Sequence, residues 1–392
     1  MGLIIMRPKL QKRSALKFAG RIIPVAKWSG MDKKIILSYF RASTIDWQDW
    51  RWQFKNRITK INQLEYFFGK PALQKETLTA VTSVYPLAIT PYYFSLIQND
   101  NPNDPICTQC IPDPQEISYP DGSLEDPLKE DSHMPVPKLI HRYPDRCLAI
   151  VTEICATYCR HCNRKRFWSQ PTHLSLKTRL RKMIRYISES PQIREVIISG
   201  GDPLILDDQT LETLLASLHA IPHIEVLRIG SRVPVVMPMR ITKELCRILK
   251  RYRPLWFNTQ FNHLGEITPE STRACNMLQE AGIPVSNQSV LLKGINNSPN
   301  VMSNLLYGLQ KISVRPYYLF HCDPAKGCAH FRTDPQSSIA MMEKIWRQCS
   351  GLCLPQYVLD VPGSSGKIPL IVMSRATKND LQQHQHFFDK FK

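Results

Sequence analysis

The chain has 392 residues, 43% of them hydrophobic, which is enough for one large core with an added segment and excludes a collagen-like, low-complexity or extensively disordered chain. The formal net charge is +18, but the basic residues are spread along the whole chain, with no dense Lys/Arg block and no RNA-binding signature. We therefore expect solubility and binding of anionic small molecules, with nucleic-acid binding as the weaker alternative.

No apolar run approaches the length needed to span a bilayer. An apolar patch near the start, at Leu3, Ile4 and Ile5, is too short for the core of a signal peptide, and no small-residue cleavage pattern follows it. The expected compartment is therefore the cytoplasm, with no membrane partner.

Residues 1–140 contain few clean strand patterns and predict a mostly helical region. Three tryptophans lie in a segment with helical character, 46–62, and we expect them to pack in a core. They are Trp47, Trp50 and Trp52. Residues 101–138 are rich in Pro and Asp, which predicts an irregular, extended connector.

Six apolar runs alternate with stretches of helical periodicity from about residue 145 onward. The runs predict strands at 147–154, 195–199, 225–229, 255–261, 285–292 and 314–320. The periodicity predicts helices at 174–189, 208–220, 242–252, 269–281, 299–311 and 336–348. This alternation predicts an α/β fold with a parallel sheet, and six units suggest a partial (β/α)6 TIM-like barrel over residues 141–350. A C-terminal segment, 351–392, follows it.

Residues with useful chemistry follow the predicted strands, where function collects in such barrels. They are Cys155 to Cys162 after the first strand, Ser199 to Asp202 after the second, Ser231 and Arg232 after the third, Asn262 and His263 after the fourth, and Asp323 after the sixth. This placement predicts one shared site at one end of the barrel.

Cys155, Cys159 and Cys162 have the spacing C-x3-C-x2-C, too crowded for mutual disulfides. Without a secretion signal, this crowding indicates metal ligation in a reducing compartment. Three thiolates would leave one iron of a [4Fe–4S] cluster open, whereas a zinc site would need a fourth ligand. A second pair, Cys107 and Cys110, has no partner pair nearby, and we interpret both as ordinary thiols.

The cysteine spacing resembles the radical S-adenosylmethionine (SAM) superfamily, in which the amino and carboxylate groups of SAM chelate the open iron. The run Ser199-Gly200-Gly201-Asp202 resembles the loop of that superfamily that binds the SAM amino group. Its glycines are expected to let the backbone approach the ligand closely.

Longer runs, spread from about Trp47 to about Ser374, resemble the lysine 2,3-aminomutase family. They are His141-Arg-Tyr-Pro-Asp-Arg146, Cys155-Ala-Thr-Tyr-Cys-Arg-His-Cys-Asn-Arg-Lys-Arg166, Ser199-Gly-Gly-Asp-Pro-Leu204, Arg228-Ile-Gly-Ser-Arg-Val-Pro-Val-Val236, Asn287-Gln-Ser-Val-Leu-Leu292, Arg315-Pro-Tyr-Tyr318, His330-Phe-Arg-Thr333 and Asp360-Val-Pro-Gly-Ser-Ser-Gly-Lys367. Because several runs are long and rare, together they are specific.

The resemblance implies that Lys367 binds pyridoxal phosphate (PLP) covalently, as a lysine in a close-fitting Gly/Ser loop suits. It also implies that Arg142 and Arg146 neutralise the PLP phosphate through charge-assisted contacts. Asn287 and Gln288 would line the SAM or PLP pocket, although both could equally form hydrogen bonds at a strand end.

For the substrate, the resemblance implies that Arg164 binds the α-carboxylate and that two carboxylates, Asp323 and Asp360, hold a distant ammonium group. A cation between two carboxylates is favoured over a neutral or acidic side chain, which predicts lysine.

Three positions depart from the family pattern. Gln260 stands where a histidine is expected, and Phe320 where a tyrosine near PLP is expected. Ser298 replaces a cysteine and no cysteine follows Cys353, so we expect no structural zinc of the kind found in many members. The short tail resembles members that make β-lysine for attachment to a translation elongation factor.

The sequence therefore predicts an isomerase that interconverts L-lysine and β-lysine with a [4Fe–4S] cluster, SAM and PLP, and that needs an external one-electron reductant. A homo-oligomer is expected from the family. The alternatives are an aminomutase for another amino acid such as arginine, β-lysine supply for elongation-factor modification, and an RNA-modifying radical SAM enzyme.

Overall fold

A computed structural model describes most of the chain, including the whole predicted barrel except a few loop residues. It describes residues 32–69, 75–98, 103–120, 122–168, 174–361 and 366–370, and the backbone of an antiparallel pair of short strands, β1 (Leu16–Phe18) and β2 (Arg21–Ile23). Most of the predicted C-terminal segment, 371–392, and the Gly/Ser loop at 362–365 lie outside the described residues.

The described residues of the N-terminal region form seven helices. They are α1 (Lys33–Tyr39), α2 (Thr44–Gln48), α3 (Trp50–Lys55), α4 (Ile61–Phe68), α5 (Lys75–Val84), α6 (Pro91–Phe94) and α7 (Pro105–Cys110). Side chains cap the first three, since Asp32, Ser43 and Asp49 each accept a hydrogen bond from a backbone N–H of the first turn. Trp47 and Trp50 are buried in the core as predicted.

The predicted irregular connector is more ordered than its composition suggests. Helix α7 lies within it, and short 3-10 turns follow at Pro114–Ile117 and Asp131–His133. The expectation of an extended connector was therefore wrong for this part. Proline at the first position of α7, with Asp104 accepting from two backbone N–H groups, starts a helix where composition alone suggested a loop.

A nine-stranded sheet forms the centre of the molecule. Its strands are β3 (Leu139–Tyr143), β4 (Arg146–Ile150), β5 (Glu195–Ser199), β6 (Val226–Gly230), β7 (Leu255–Thr259), β8 (Val285–Leu291), β9 (Arg315–His321), β10 (Gln356–Asp360) and β11 (Lys367–Pro369). The order is β11-β10-β9-β8-β7-β6-β5-β4-β3. Strands β4 to β10 are parallel, while β3 and β11 are antiparallel at the two edges.

Helices connect the parallel strands. They are α8 (Leu176–Ser188), α9 (Asp208–His219), α10 (Val233–Val236), α11 (Lys243–Arg251), α12 (Pro269–Glu280), α13 (Pro299–Lys311) and α14 (Pro335–Gln348). The partial barrel and its six predicted strand–helix units are confirmed. The sheet then continues past residue 350 with a seventh parallel strand, β10, in the segment that the sequence analysis placed after the barrel.

Side chains from the strands and helices share one apolar core. Val196, Ile198, Ile229 and Phe257 are fully buried on the sheet, as are helix residues such as Leu245. This packing holds the strand ends, and therefore the loops that follow them, in fixed relative positions.

The two edges of the sheet meet. Arg142 on β3 donates from Nη1 to Oδ1 of Asp360 on β10 at 2.7 Å, and from Nη2 to the carbonyl oxygen of Val361 at 2.8 Å. These strands lie near opposite ends of the strand order, so such contacts require a sheet that is curled almost into a closed barrel.

Glu116 fastens the N-terminal region to the loop that follows β4. Its carboxylate accepts from Arg160 at 2.7 to 3.1 Å and from Lys165 Nζ at 2.7 Å, and all three side chains are almost completely buried. Burial alone would raise the pKa of Glu116, but the two cations hold that pKa below its ordinary value.

Replacing Glu116 by Gln should reduce the free energy of unfolding by about 3–5 kcal/mol, because two buried cations lose their counter-charge. Urea unfolding of the purified protein measures this change. Glu244→Gln is the matched control, since Glu244 pairs with Arg247 on the surface and should matter little. Equal effects of the two substitutions would contradict the role given to Glu116.

Candidate active site

The loop after β4 carries the three predicted cluster ligands. Cys155, Cys159 and Cys162 are free thiols that interact electrostatically with one another. Burial, together with the neighbouring Cys159, raises the pKa of Cys162 to about 11. Three thiolates in such a place need positive charge, which iron would supply.

The described residues contain no three His, Cys, Asp or Glu side chains arranged around a single metal ion. A [4Fe–4S] cluster has a different requirement, because each thiolate binds a different iron atom and the sulfur atoms stand correspondingly further apart. The cysteine loop therefore fits a cluster better than a mononuclear metal site.

Groups from the N-terminal region hold the cysteine loop in place. Arg57 Nη1 donates to the carbonyl oxygen of Cys155 at 2.6 Å. The backbone N–H of Tyr158 donates to the carbonyl oxygen of Ala88 at 2.9 Å. From the sheet side, Arg232 Nη1 donates to Cys159 Sγ at 2.7 Å. The loop is therefore fixed independently of a bound cofactor.

Gly200 and Gly201 follow β5 and pack against the same loop. A Cβ atom on Gly200 would lie 2.5 Å from the carbonyl oxygen of Thr152, and one on Gly201 would collide with the carbonyl oxygen of Ile154. Backbone N–H groups of Gly201 and Asp202 donate to these two oxygens at 2.6 and 2.8 Å. The close approach predicted for these glycines is thus an approach to the cysteine loop.

Ser199 and Asp202 flank the two glycines. Ser199 ends β5, and its Oγ lies beside Gly230 of the next strand. Asp202 is buried, and its carboxylate accepts from Ser231 Oγ at 2.7 Å and from the backbone N–H of Arg232 at 2.8 Å. Burial raises the pKa of Asp202 to about 6. Its carboxylate joins the loops after β5 and β6.

Asn287 and Gln288 lie in β8 and have different surroundings. The Asn287 side chain bonds both backbone groups of Phe261, accepting at 2.7 Å and donating at 3.2 Å. This is the strand-end alternative foreseen for it. Gln288 is the register partner of Tyr318 on β9. Of the two, Gln288 is beside the rings that surround Lys367.

Three aromatic rings surround the Lys367 ammonium group. Nζ lies 5.4 Å from the ring centre of Tyr143, 6.0 Å from that of Tyr318 and 5.8 Å from that of Phe320. The hydroxyl of Tyr143 is buried without a hydrogen-bond partner among the described residues. A flat aromatic ligand with polar substituents would fit between such groups.

Positive charge lies on the same side. The Arg146 guanidinium stacks on Tyr143 at 3.9 Å, and Arg142 lies 5.6 Å from the same ring. Arg146 also pairs with Asp145 at 2.7 Å and is about one-third exposed. Together with Lys367, these arginines make a site suited to an anionic ring compound such as PLP.

Asp360 joins the two predicted groups of residues. Its Oδ1 accepts from Arg142, while its Oδ2 lies 3.3 Å from Lys367 Nζ. The hairpin of β10 and β11 produces this pair, because Asp360 and Lys367 are directly opposite in its register. The carboxylate is nearly buried, with 9% of its side chain exposed.

Arg164 and Asp323 complete the site. Arg164 donates from Nε and Nη2 to the carboxylate of Glu130 at 2.6 to 3.1 Å. Asn163 Nδ2 donates to Asp323 Oδ2 at 2.6 Å. Burial, with smaller contributions from the carboxylates of Asp360 and Glu130, raises the pKa of Asp323 to about 7 despite the bond from Asn163.

Charge interactions between successive residues link the cysteine loop to Lys367. Arg164 interacts with Cys162 and Asp323, Asp323 interacts with Asp360, and Asp360 pairs with Lys367. The structure therefore brings the cysteine loop and Lys367 into one site.

Several contributing residues were not identified from the sequence. Glu116 and Glu130 lie in the supposed connector, where an acidic residue gives no signal of its own. Tyr143 lies within the run His141-Arg-Tyr-Pro-Asp-Arg146 and could have been singled out there. Arg232 was noted only for its position after a strand.

A partial barrel with three thiols after its first parallel strand defines a radical SAM enzyme, and the Radical SAM superfamily model matches residues 149–303. The L-lysine 2,3-aminomutase of Clostridium subterminale is 48% identical over 84% of this chain and 79% of that protein. The Glutamate 2,3-aminomutase of Clostridioides difficile is 41% identical over 86% of this chain and 80% of that protein. The chain belongs to the lysine 2,3-aminomutase family.

Membership of this family makes the chain an isomerase of the radical SAM aminomutase class. Its cofactors are those that the sequence predicted, a [4Fe–4S] cluster, SAM and PLP. Among the described residues, no helix combines the length and the apolar character needed to cross a membrane.

Replacing Gly201 by Ala should displace the cysteine loop, because the new methyl group and the carbonyl oxygen of Ile154 cannot occupy the same space. We expect iron and sulfide content after anaerobic reconstitution to fall well below that of the parent. Gly351→Ala is the control, since a Cβ there meets no atom within 4 Å. Full cluster loading in Gly201→Ala would show that the loop tolerates the displacement.

Proposed function

We propose that this chain is a PLP-dependent aminomutase that interconverts L-lysine and β-lysine, with Cys155, Cys159 and Cys162 as cluster ligands and Lys367 as the PLP lysine. The observation that carries the substrate assignment is that two buried carboxylates, Asp323 and Asp360, are near enough to interact electrostatically. Lys367 is beside Asp360.

The cluster and SAM, when bound, supply a radical able to remove a hydrogen atom, and PLP carries the migrating amino group. The chain's own task is to position the substrate between them and to exclude water. In this proposal Ser199, Gly200, Gly201 and Asp202 shape the SAM side of the site. An external one-electron reductant is required, because the described groups provide no electron source.

On the PLP side, Lys367 provides the amine and Arg142 and Arg146 provide charge for the phosphate. Tyr143 and Phe320 provide apolar ring surface, and the buried Tyr143 hydroxyl lacks a partner that a polar ligand atom would supply. Phe320 stands where many relatives are expected to have tyrosine, so it offers no hydroxyl group. The rings with a hydroxyl group near Lys367 Nζ are those of Tyr143, with its centre at 5.4 Å, and Tyr318, at 6.0 Å.

Arg164 binds the substrate α-carboxylate in this proposal. Glu130 holds its Nε and Nη2 edge, which fixes the plane of the guanidinium. None of the described residues accepts a hydrogen bond from Nη1, and this nitrogen is left to donate to a ligand. Because Arg164 also interacts with Cys162, the carboxylate end of the substrate would lie towards the cluster.

The opposite end of the substrate would lie against Asp323 and Asp360. In the structure the Lys367 ammonium occupies one side of Asp360, and it stands in for the chemically identical side-chain ammonium of lysine. Asp360 already has a cation beside each of its two oxygens, Arg142 and Lys367, so its carboxylate would suit the side-chain ammonium of a substrate.

The relative from Clostridioides difficile makes glutamate the alternative substrate to consider. A glutamate side chain would bring a third negative charge to two buried carboxylates that already repel each other. The cations beside Asp360, Arg142 and Lys367, are already paired with that carboxylate, so the two aspartates favour lysine over glutamate.

The test is an anaerobic assay with protein reconstituted with iron, sulfide and PLP and supplied with SAM and a one-electron reductant. We expect β-lysine from L-lysine, with much slower turnover of arginine and glutamate. Lys367→Met should abolish product and the PLP–lysine bond that borohydride reduction and mass spectrometry detect. Lys326→Met, at an exposed lysine paired with Glu125, should retain both. A fully loaded parent that makes no β-lysine would disprove the activity.

Affinity for lysine should depend on pH through Asp323. The ammonium binds the ionised carboxylate, so affinity should fall as the pH drops below about 7 and the free protein's Asp323 takes up a proton. The Michaelis constant for L-lysine, measured on either side of pH 7, reports this change. Asp323→Asn should weaken binding by at least about tenfold and remove this pH-dependent component. A pH profile that is the same in the parent and the variant would refute the assignment.

A further inference from the structure

Arg232 makes a direct contact with one of the three cysteine sulfurs. Its Nη1 donates to Cys159 Sγ at 2.7 Å, and only 7% of the residue is exposed. The other cysteines differ, since Arg57 reaches the carbonyl oxygen of Cys155 and Cys162 Sγ accepts from the backbone N–H of Arg164 at 3.4 Å. Cys159 is therefore the ligand whose sulfur is in contact with a side-chain cation.

The guanidinium of Arg232 is held in this position on its other sides. Nη2 donates to Glu266 Oε1 and to Gln109 Oε1, both at 2.6 Å, and Nε donates to the carbonyl oxygen of Gln260 at 3.2 Å. Its backbone N–H donates to Asp202 Oδ2 at 2.8 Å. A side chain with this many fixed partners does not need to reorganise when charge changes nearby.

Glu266, the counter-charge of Arg232, is itself completely buried and fixed. Its Oε1 accepts from the hydroxyl of Tyr93 at 2.7 Å, and its Oε2 accepts from the backbone N–H of His263 at 3.0 Å. Glu266 contacts Nη2 of the guanidinium, whereas the sulfur contacts Nη1. Because Coulomb energy falls with distance, the cation in contact with Cys159 outweighs this carboxylate at the sulfur.

Reduction of a cluster adds one electron from an external one-electron reductant, with no bond formed and no proton moved. The added negative charge is stabilised by a nearby cation and by hydrogen bonds to the ligand sulfurs, and both raise the reduction potential. Burial strengthens the effect because the local dielectric is low.

We propose that Arg232 raises the reduction potential of the cluster through its charge-assisted hydrogen bond to Cys159 Sγ, as a positioning residue for the electron-transfer step. The inference rests on the proposed function, because it takes the three cysteines as the cluster ligands. It adds a residue and a physical task that the activity alone does not specify.

The test is a redox titration of the reconstituted cluster, followed by electron paramagnetic resonance, without SAM or substrate. At the parent's midpoint potential, the ratio of reduced to oxidised cluster in Arg232→Met should be lower by about tenfold, which is about 59 mV for a one-electron couple. Arg232→Lys keeps the positive charge but loses the planar guanidinium with its several hydrogen-bond donors. Its midpoint potential should lie between those of Arg232→Met and the parent.

Arg57→Met is the matched control, because it also removes a cation near a cluster cysteine, but the hydrogen bond of Arg57 goes to the carbonyl oxygen of Cys155 and not to a sulfur. Its shift should be clearly smaller than that of Arg232→Met. If Arg232→Met fails to load a cluster, Arg232→Lys decides the question. A loaded Arg232 variant with the parent's potential would overturn the inference, as would an equal shift in Arg57→Met.

The outcomes separate this inference from the proposed function. A potential shift in a protein that makes no β-lysine supports the role of Arg232 and rejects the activity. β-Lysine formation with no shift rejects the role of Arg232 alone. A parent that binds no cluster rejects both, since both depend on the three thiols.

Discussion

Asp360 is the carboxylate on which the arrangement of the site depends. It accepts from Arg142 on one edge of the sheet and pairs with Lys367 on the other edge, so a single buried group holds the curled sheet closed where the lysine must stand. A carboxylate with 9% of its side chain exposed is stable only with compensating charge, and two cations supply it. The position of Lys367 is therefore tied to the closure of the barrel.

The same rule organises the loop after β4. This loop and its neighbours carry several buried cations, and each finds an acidic partner from another part of the chain. Arg160 and Lys165 meet Glu116, Arg164 meets Glu130, and Arg232 meets Glu266. Because these cations are compensated by carboxylates, they contribute little to the net charge of +18. That the other basic residues bind anionic small molecules stays a prediction.

The barrel could be predicted from the sequence because its helices are amphipathic and its strands are short apolar runs. The cysteine loop could be predicted because its spacing is rare. By contrast, α7 and Glu116 were hidden in a Pro- and Asp-rich stretch, since composition does not reveal which acidic residue will meet a buried cation. The contact between Asp360 and Arg142 could not be predicted from the sequence either, because it depends on the curvature of the sheet that brings β3 close to β10.

The glycines after β5 have a packing role that the sequence did not reveal, while the approach to a ligand predicted for them stays a prediction. Gly200 and Gly201 were expected to make room for a ligand, yet a side chain there would first strike the carbonyl oxygens of Thr152 and Ile154. The two views are connected. A loop that packs this tightly on Thr152 and Ile154 constrains the position of the cysteine loop that follows them. The contact between the loops is thus as much a condition for the chemistry as the thiols themselves.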